Sequence, residues 1–533
     1  MRQKTHVFDH GLASFFLSSL FISFPSNSQK KFHGQSIVVV RPINTDEVSR
    51  IVGYCNTQKI GIVPQGGNTS LVGGSISYNP HHIVLTLECM NTIYHDEFDD
   101  ICGIVKCDAG VILQDLQDYV STQHDHILPI DLGSKGSCQI GGNVSTNAGG
   151  SYYYRYGSIH ANIVGLQVVI PSKNGGSEVL DLSYTNTNLK DTTGYDLKHI
   201  FVGSEGTLGI ITKIALLCPS KQPKSKQAAL VVCRTFDHVI QTLSLAKLHL
   251  GEILAAFEYM DDTVMNIVIE QKIKAKNNAF NIPSFLQEYD DGGNGESADN
   301  TTTSTTYPYS ILIETHGSNE DHDKLKMEQF IEKVMMPSSS MSEEPGGDGG
   351  EQADTEGQPI VMDGVIAQDL SQVKEFWKFR EACNPSVAST GYVYKYDVSL
   401  PIPEFPIFIQ EMRQRIQSKL ASSASSSLAA ITIEIQNPNW GHVIDGNLHF
   451  NVVTPGVFEK NDELLKIIEP YIFEAVLKRK GSISAEHGLG ICKNEYLPMV
   501  RDENVLSTMF HIKNLFDPNG IMNPGKYLPT RRE

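Results

Sequence analysis

From residue 34 to about residue 219 the chain alternates short apolar runs with amphipathic ones, and three glycine-rich segments interrupt that alternation. SIVVVRP predicts a strand, and NTDEVSRIVGYCNTQ predicts a helix with Asn44 as its N-cap and Glu47 three residues on. GIVPQGG predicts a strand running into a turn, HHIVLTLEC another strand, and GVILQDLQDYVST another helix. Such alternation implies an α/β or α+β domain. The glycine segments are PQGGNTSLVGG (64–74), GSKGSCQIGGNVSTNAGG (133–150) and GSEGTLGIIT (203–212). Without side chains, the backbone N–H groups of such turns approach phosphate oxygens closely, and interleaved Ser, Thr and Asn add donors. None matches GxxxxGK[ST], and none is a GxGxxG after the first strand, so neither a P-loop nor a Rossmann site is supported. One such segment alone reads as a tight turn; three in one region point to a dinucleotide cradle.

At 533 residues the chain is long enough for several domains. Its formal charge of −18 is concentrated: residues 288–299 carry five acidic groups and 343–356 six, with no Lys or Arg in either, and removing these eleven leaves −7. No basic stripe is present, which argues against a nucleic-acid partner. The polar stretches 287–307 and 337–359 cannot bury enough apolar surface to order themselves and are expected to be disordered surface insertions, with ASSASSS (421–427) a smaller third. YSILIETHGS and DKLKMEQFIEKVM between the first two predict a strand and a helix. Nine scattered cysteines without a CxxC suit free thiols in a reducing compartment. The apolar run GLASFFLSSLFISF (11–24) is too short to span a bilayer and fits a secretory signal or an organelle presequence, although Asp9 suits neither. The glycosylation triplets at Asn68 and Asn143 lie inside the glycine segments, where sugars would obstruct a cofactor; this argues against secretion.

GHVIDGNLHFNVV (441–453) sets two histidines symmetrically about Asp445-Gly446. Asp-Gly signals a two-residue type I′ hairpin turn. That register pairs His442 directly with His449 on one sheet face, close enough for both imidazoles to share a divalent ion, and Asn451 shares the face. SAEHGLG (484–490) supplies a carboxylate, Glu486, and a further imidazole, His487, among glycines. Two His plus one Glu form a common catalytic zinc set with an open position, and His487 is then left to act as a base. The competing readings are a core histidine pair and a Glu486 that caps a helix or pairs with a lysine. FWKFREACNPSVASTGYVYKYDVSLP (376–401) puts Arg380 on a helix and Lys395 on a strand; most such cations are solvated, but Lys395 sits in the aromatic run Tyr392-Val393-Tyr394-Lys395-Tyr396.

The order PQGGNTSLVGG, IGGNVSTNAGG, RYGSIH, GSEGTLGIIT resembles the FAD-binding domain of the vanillyl-alcohol oxidase/p-cresol methylhydroxylase flavoprotein superfamily, and the C-terminal motifs resemble its D-2-hydroxyglutarate dehydrogenase branch. The resemblance covers about residues 31–533. It implies an α+β fold with a two-lobed FAD-binding domain of the p-cresol methylhydroxylase type (31–219). An antiparallel-sheet substrate or cap domain (220–475) and a helical C-terminal segment completing both sites (476–533) would follow, behind a targeting or unstructured 1–30. By the same resemblance Pro64, Gly66, Gly67, Asn68, Thr69 and Ser70 hold the FAD pyrophosphate. Gly136, Ser137, Gly141, Gly142 and Asn147 follow the flavin, and Glu205, Gly206, Ile210 and Asn523 line it further. Some relatives attach FAD covalently through a histidine where this chain has Asn68, so non-covalent FAD is expected.

The resemblance makes His442, His449 and Glu486 the ligands of Zn²⁺ or another divalent metal, and His487 the general base. Arg380 and Lys395 would grip the distal carboxylate of a two-carboxylate hydroxy acid, with Asn451 orienting it. Asn384 stands where the family has a threonine; it still donates a hydrogen bond but leaves the substrate preference open. The implied reaction takes D-2-hydroxyglutarate to 2-oxoglutarate, with hydride passing to flavin N5. Electron-transfer flavoprotein in the mitochondrial matrix is the implied acceptor. The alternatives are a D-lactate dehydrogenase of the same superfamily and a flavin- or metal-binding protein without catalysis.

Overall fold

A computed structural model describes residues 32–274, 283, 286, 308–337, 358–422 and 434–530. The expectations for residues 1–30, for 287–307 and for all but the ends of 337–359 lie outside the described residues, as do 423–427 of the serine-rich run. The chain divides into two compact units, one formed by Met1–Gln222 with Glu486–Glu533, the other by Pro223–Ala485.

The first unit is built on short strands. β1 (Val38–Val40), β2 (Ile62–Gln65) and β3 (Ile83–Thr86) form a parallel sheet in the order β1-β3-β2. Between β1 and β2 runs helix α1 (Thr45–Gln58), whose first amides are capped as expected: Asn44 Oδ1 accepts from the Glu47 amide at 2.9 Å. β4 (Ile104–Asp108), β6 (Ile163–Pro171), β7 (Ser177–Leu182) and β8 (Ile210–Leu217) form an antiparallel sheet in the order β4-β8-β6-β7, and β5 (His126–Ile127) pairs with β9 (Ser220–Lys221). Helices α2 (Leu113–His124) and α3 (Ile140–Thr146) share one buried apolar cluster with both larger sheets. The mixture of a parallel and an antiparallel sheet gives the α+β class, with a helix at Glu503–Phe516 near the C-terminus.

The second unit is one seven-stranded antiparallel sheet. Its strands are β10 (Ser225–Cys233), β11 (Leu254–Asp261), β12 (Tyr309–Gly317), β13 (Asp363–Ile366), β14 (Gly391–Ser399), β15 (Asn439–His442) and β16 (Asn447–Pro455). They lie in the order β13-β10-β12-β11-β15-β16-β14. Side chains alternate between faces along a strand, so Leu230, Met260, Leu312, Val393, Trp440 and Val453 share one face. They pack there against helices α5 (Asp262–Lys274) and α7 (Leu370–Thr390), which contribute Val268, Phe376, Phe379 and Val387. On the opposite face Phe236 of helix α4 (Phe236–His249), which packs beside helix α6 (Glu320–Met335), meets Tyr259 edge-on, and Phe408 of helix α8 (Phe405–Ser422) meets Phe450.

The hairpin between β15 and β16 differs from the expected two-residue turn. A 3₁₀ turn over Val443–Asp445 and Gly446, in the left-handed region at φ 81°, replace it, and the register pairs Trp440 with His449 and Asn439 with Phe450. The pairing has slipped by two residues from the one that places His442 opposite His449. A slip of one would have sent one imidazole to the other face; a slip of two preserves the face and makes the histidines diagonal neighbours. The 3₁₀ turn accommodates this because Leu400 donates its amide to the Gly446 carbonyl at 2.9 Å, tying the turn to the end of β14.

Both tryptophans of the chain, Trp377 and Trp440, lie in this unit, so intrinsic tryptophan fluorescence reports on it alone. Phe379, 1% exposed, is central to the α7 contact. Phe379→Ala is expected to lower the stability read from denaturant unfolding by tryptophan fluorescence by about 3–5 kcal/mol. A loss below about 1 kcal/mol would show that the helix is not seated as described.

Candidate active site

The apolar face that α7 covers in the second unit ends in a row of ionisable groups. Glu258 on β11 is paired in register with His442 on β15; Asp397 on β14 is paired with His449 on β16, and Lys395 with Asn451. Because 395 and 397, 449 and 451, and 440 and 442 each differ by two, all of these side chains leave the sheet on the side that carries Trp440. The imidazoles of His442 and His449 stand 5.7 Å apart by ring centroids and 78° to one another.

Each group in the row has a defined partner. Glu258, 0% exposed, accepts from His442 Nδ1 at 2.6 Å through Oε1 and from Arg380 Nε at 2.7 Å through Oε2. Burial works to raise its pKa, but the charges of His442 and Arg380 overcome that and hold the carboxyl below its usual range. Asp397 lies 3.7 Å from His449 Nδ1, accepts from Asn447 Nδ2 at 2.7 Å, and accepts the Ala485 amide at 3.1 Å. Lys395 Nζ donates to Asn384 Oδ1 at 2.6 Å. Asn451 donates its Nδ2 to the carbonyls of Pro438 and His449, so the donor end of that amide is already engaged. Helix α7 therefore presents Trp377, Arg380 and Asn384, spaced three and four residues apart on one stripe, to Glu314, Glu258 and Lys395 respectively.

The first unit gathers the three glycine segments by backbone contact. A Cβ at Gly67 would collide with the Ser137 carbonyl, so the first and second segments touch main chain to main chain. Gly206 lies against the Pro64 ring and Gly203 against Asn147, which bring the third segment to the other two, and the Glu205 amide donates to the Ser145 carbonyl at 2.7 Å. Asn68, Asn147, Glu205 and Asn523 all adopt positive φ, between 42° and 56°. Asn68 Oδ1 accepts from Ser75 Oγ, and Ser70 Oγ accepts the amides of Val72 and Gly74. Thr69 is half-buried beside them, and Ile210 opens β8 inside the core. The stretch Ile140–Thr146, expected as loop, is helical; Gly141 fits there because Ala109 presses on its Cα, while Gly136 and Gly142 border open space.

Glu205 accepts the amides of Leu489 and Gly490 at 2.7 and 2.8 Å; burial raises its pKa against these two bonds. Asn523 donates to the carbonyls of Gly74 and Glu205 and accepts from Lys526 Nζ at 2.8 Å. Burial pushes the Lys526 ammonium down to about 7, against the pull of Glu205. Glu486 and His487 begin this unit's C-terminal segment, directly after Ala485. The Glu486 carboxylate lies over Gly149 and 3.7 Å from His487 Nε2, beside the second glycine segment.

Three residues of this arrangement escaped sequence reasoning: Glu258, Asp397 and Lys526. The first two carry a legible signal, an acid in the interior of a mostly apolar strand (LAAFEYMD, which ends on Asp261, and YVYKYDV, which also carries Lys395), which must find partners to be buried. In the first unit a glycine-lined cradle with open space at Gly136 and Gly142 fits a phosphate-bearing dinucleotide, while buried Gln139 Oε1 and Asn143 Oδ1, acceptors with no partner among the described residues, suit the N–H or O–H donors of such a ligand rather than its phosphates.

Residues 36–175 match the family described as "FAD binding domain", and residues 222–527 that described as "FAD linked oxidases, C-terminal domain". The chain is 39% identical over 500 residues to the mitochondrial D-2-hydroxyglutarate dehydrogenase of Danio rerio, covering 94% of this chain and 80% of that protein. It is 36% identical over 507 residues to a putative mitochondrial D-lactate dehydrogenase of Schizosaccharomyces pombe, covering 95% and 84%. Among solved structures, alkyldihydroxyacetonephosphate synthase superposes with a TM-score of 0.65 at 15% identity, covering 96% of this chain and 83% of that one, a likeness of fold. Gly67→Ala should force the first two glycine segments apart. The purified variant is expected to carry at most a tenth of the flavin absorbance per protein of the unaltered chain, and full retention would refute the backbone contact as a requirement of the cradle.

Proposed function

Because the chain belongs to the FAD-linked oxidases, and within them to the D-2-hydroxyglutarate dehydrogenases, we propose that this FAD-dependent D-2-hydroxyacid dehydrogenase oxidises D-2-hydroxyglutarate to 2-oxoglutarate with the aid of a divalent ion, zinc by its donor set. The observation that carries the reading is the single-faced row of the second unit, which sets Lys395, held by Asn384, two residues along the strands from His449, while Arg380 shares the Glu258 carboxylate with His442. Two residues along a strand is about 7 Å, a separation that a five-carbon diacid bridges with its two ends and a three-carbon hydroxy acid does not.

The donor chemistry of His442, His449 and Glu486 fits zinc. The Nδ1 of His442 is bonded to a buried carboxylate, as is usual for a metal-bound imidazole, and two nitrogens with one carboxylate oxygen leave a position for substrate. Held there, zinc would supply Lewis acidity at the C2 hydroxyl, and FAD would supply the acceptor for the C2 hydride at N5. His487, beside Glu486, takes the hydroxyl proton, since a neutral imidazole nitrogen offers the lone pair that a general base needs. Lys395 and Arg380 hold the distal carboxylate, and Asn384 fixes the Lys395 ammonium; Asn451 pairs with Lys395 on the adjoining strand and supports the same end. FAD is held by the three glycine segments and is non-covalent, since Asn68 offers no nucleophile for a flavin bond. Its mitochondrial relatives place the chain in mitochondria, where electron-transfer flavoprotein is the acceptor we assign. No helix among the described residues is long and apolar enough to cross a membrane.

The lactate reading is favoured by the name of the Schizosaccharomyces pombe relative, and a substrate series separates the two. Anaerobic mixing of the yellow protein with each enantiomer of 2-hydroxyglutarate and of lactate should bleach the flavin rapidly with D-2-hydroxyglutarate. Lys395→Ala is expected to lower kcat/KM for D-2-hydroxyglutarate by roughly 10- to 150-fold, the equivalent of about 1.5–3 kcal/mol, while barely changing D-lactate; equal losses on both would sink the assignment. His442→Ala should abolish turnover and leave the bound flavin yellow, and unchanged turnover would remove His442 from the metal site.

A further inference from the structure

We propose that Glu258 is a positioning residue that couples the two ends of the substrate site, aiming the His442 imidazole with one carboxylate oxygen and the Arg380 guanidinium with the other; this rests on the reading of His442 as a metal ligand and Arg380 as a carboxylate grip. Glu258 lies in the middle of β11, fully buried, on the same face as Met260, and directly opposite His442 in the β11–β15 register. A carboxylate in such a place is unfavourable unless both oxygens are satisfied. Here they are, by two different donors on two different elements: Nδ1 of a strand histidine at 2.6 Å and Nε of a helix arginine at 2.7 Å.

The geometry has two consequences. A carboxylate accepts and does not donate, so His442 Nδ1 carries the proton and the Nε2 lone pair is the one presented outward. On the other side, binding Arg380 through Nε holds the guanidinium plane and turns the two terminal nitrogens away from Glu258, the edge suited to a bidentate carboxylate. The same group therefore sets the tautomer of the residue that faces C2 and the orientation of the residue that faces C5. The α7 stripe has a parallel feature that serves neither end: Trp377 donates to Glu314, which also accepts from His316 at 2.8 Å, and these groups anchor the helix. Glu258 differs in that both of its donors belong to the site.

The test is Glu258→Gln in the full-length protein with FAD bound. Glutamine keeps the shape but offers a single acceptor oxygen, so one of the two donors loses its partner. Expected are a 10- to 100-fold loss of zinc affinity, measured by competition with a chromophoric chelator, and a raised KM for D-2-hydroxyglutarate exceeding any rise for D-lactate. The flavin-to-protein ratio should stay unchanged, because the glycine cradle belongs to the other unit. A purely structural role would lower the unfolding midpoint and leave the chelator titration and the KM ratio alone; that result overturns the proposal. If Glu258→Gln does not fold, Glu258→Asp, with the charge kept but the reach shortened, must give the same two shifts. Failure of the underlying reading looks different: an unaltered protein that holds no zinc, or a His442→Ala variant that keeps it, removes the metal site and the proposal together. Zinc lost in His442→Ala but held normally in Glu258→Gln removes the proposal alone.

Discussion

The pleat of the seven-stranded sheet is the constraint on which the second unit depends. Side chains can leave a strand only up or down, so every group that is to meet another must sit at the right parity on its own strand. β11, β12, β14, β15 and β16 obey this together: Glu258, Glu314, Lys395, Asp397, His442, His449 and Asn451 all fall on the face that carries Met260, Leu312, Val393 and Trp440. The same face is apolar where α5 and α7 cover it and polar along one row. The helix that buries the core thereby also delivers Arg380 and Asn384 to that row.

Burying acids on such a face is costly unless each finds donors. Glu258 has a histidine and an arginine, Glu314 a histidine and an indole N–H, and Asp397 a side-chain amide, a backbone amide and the nearby His449. The donors come from neighbouring strands and from one helix, so the charged row is held by the same elements that close the apolar core. The groups around the imidazoles are consequently preorganised by packing, which reduces the reorganisation a reaction would require.

The first unit solves a different problem by different means. Its cradle is made by main chain meeting main chain, Gly67 on Ser137 and Glu205 on Ser145, and by side-chain amides such as Asn523 that bridge distant segments. Phosphate recognition needs many N–H groups at close range, and glycine is the residue that permits it. Positive φ at Asn68, Asn147 and Asn523 follows the same logic, since asparagine tolerates the left-handed region better than most residues.

Local chemistry alone made much of this legible. The periodicity of residues 36–124 places β1, β2, β3, α1 and α2 correctly, because an Asn N-cap or an apolar run acts over a few residues, but it leaves β4 unassigned. Asp445-Gly446 marks a reversal of the chain, and the two-residue period puts both histidines on one side of it. What the local signals could not decide was the register: an Asp-Gly pair predicts the tightest turn, whereas the bond from Leu400 to the Gly446 carbonyl, donated by a residue far away in sequence, accompanies a longer 3₁₀ turn. Nor could they identify Glu258, separated by 184 residues from His442 and 122 from Arg380. A lone glutamate in an apolar strand announces that it needs partners; only the order in which seven strands assemble, set by burial of their shared face, determines which partners it has.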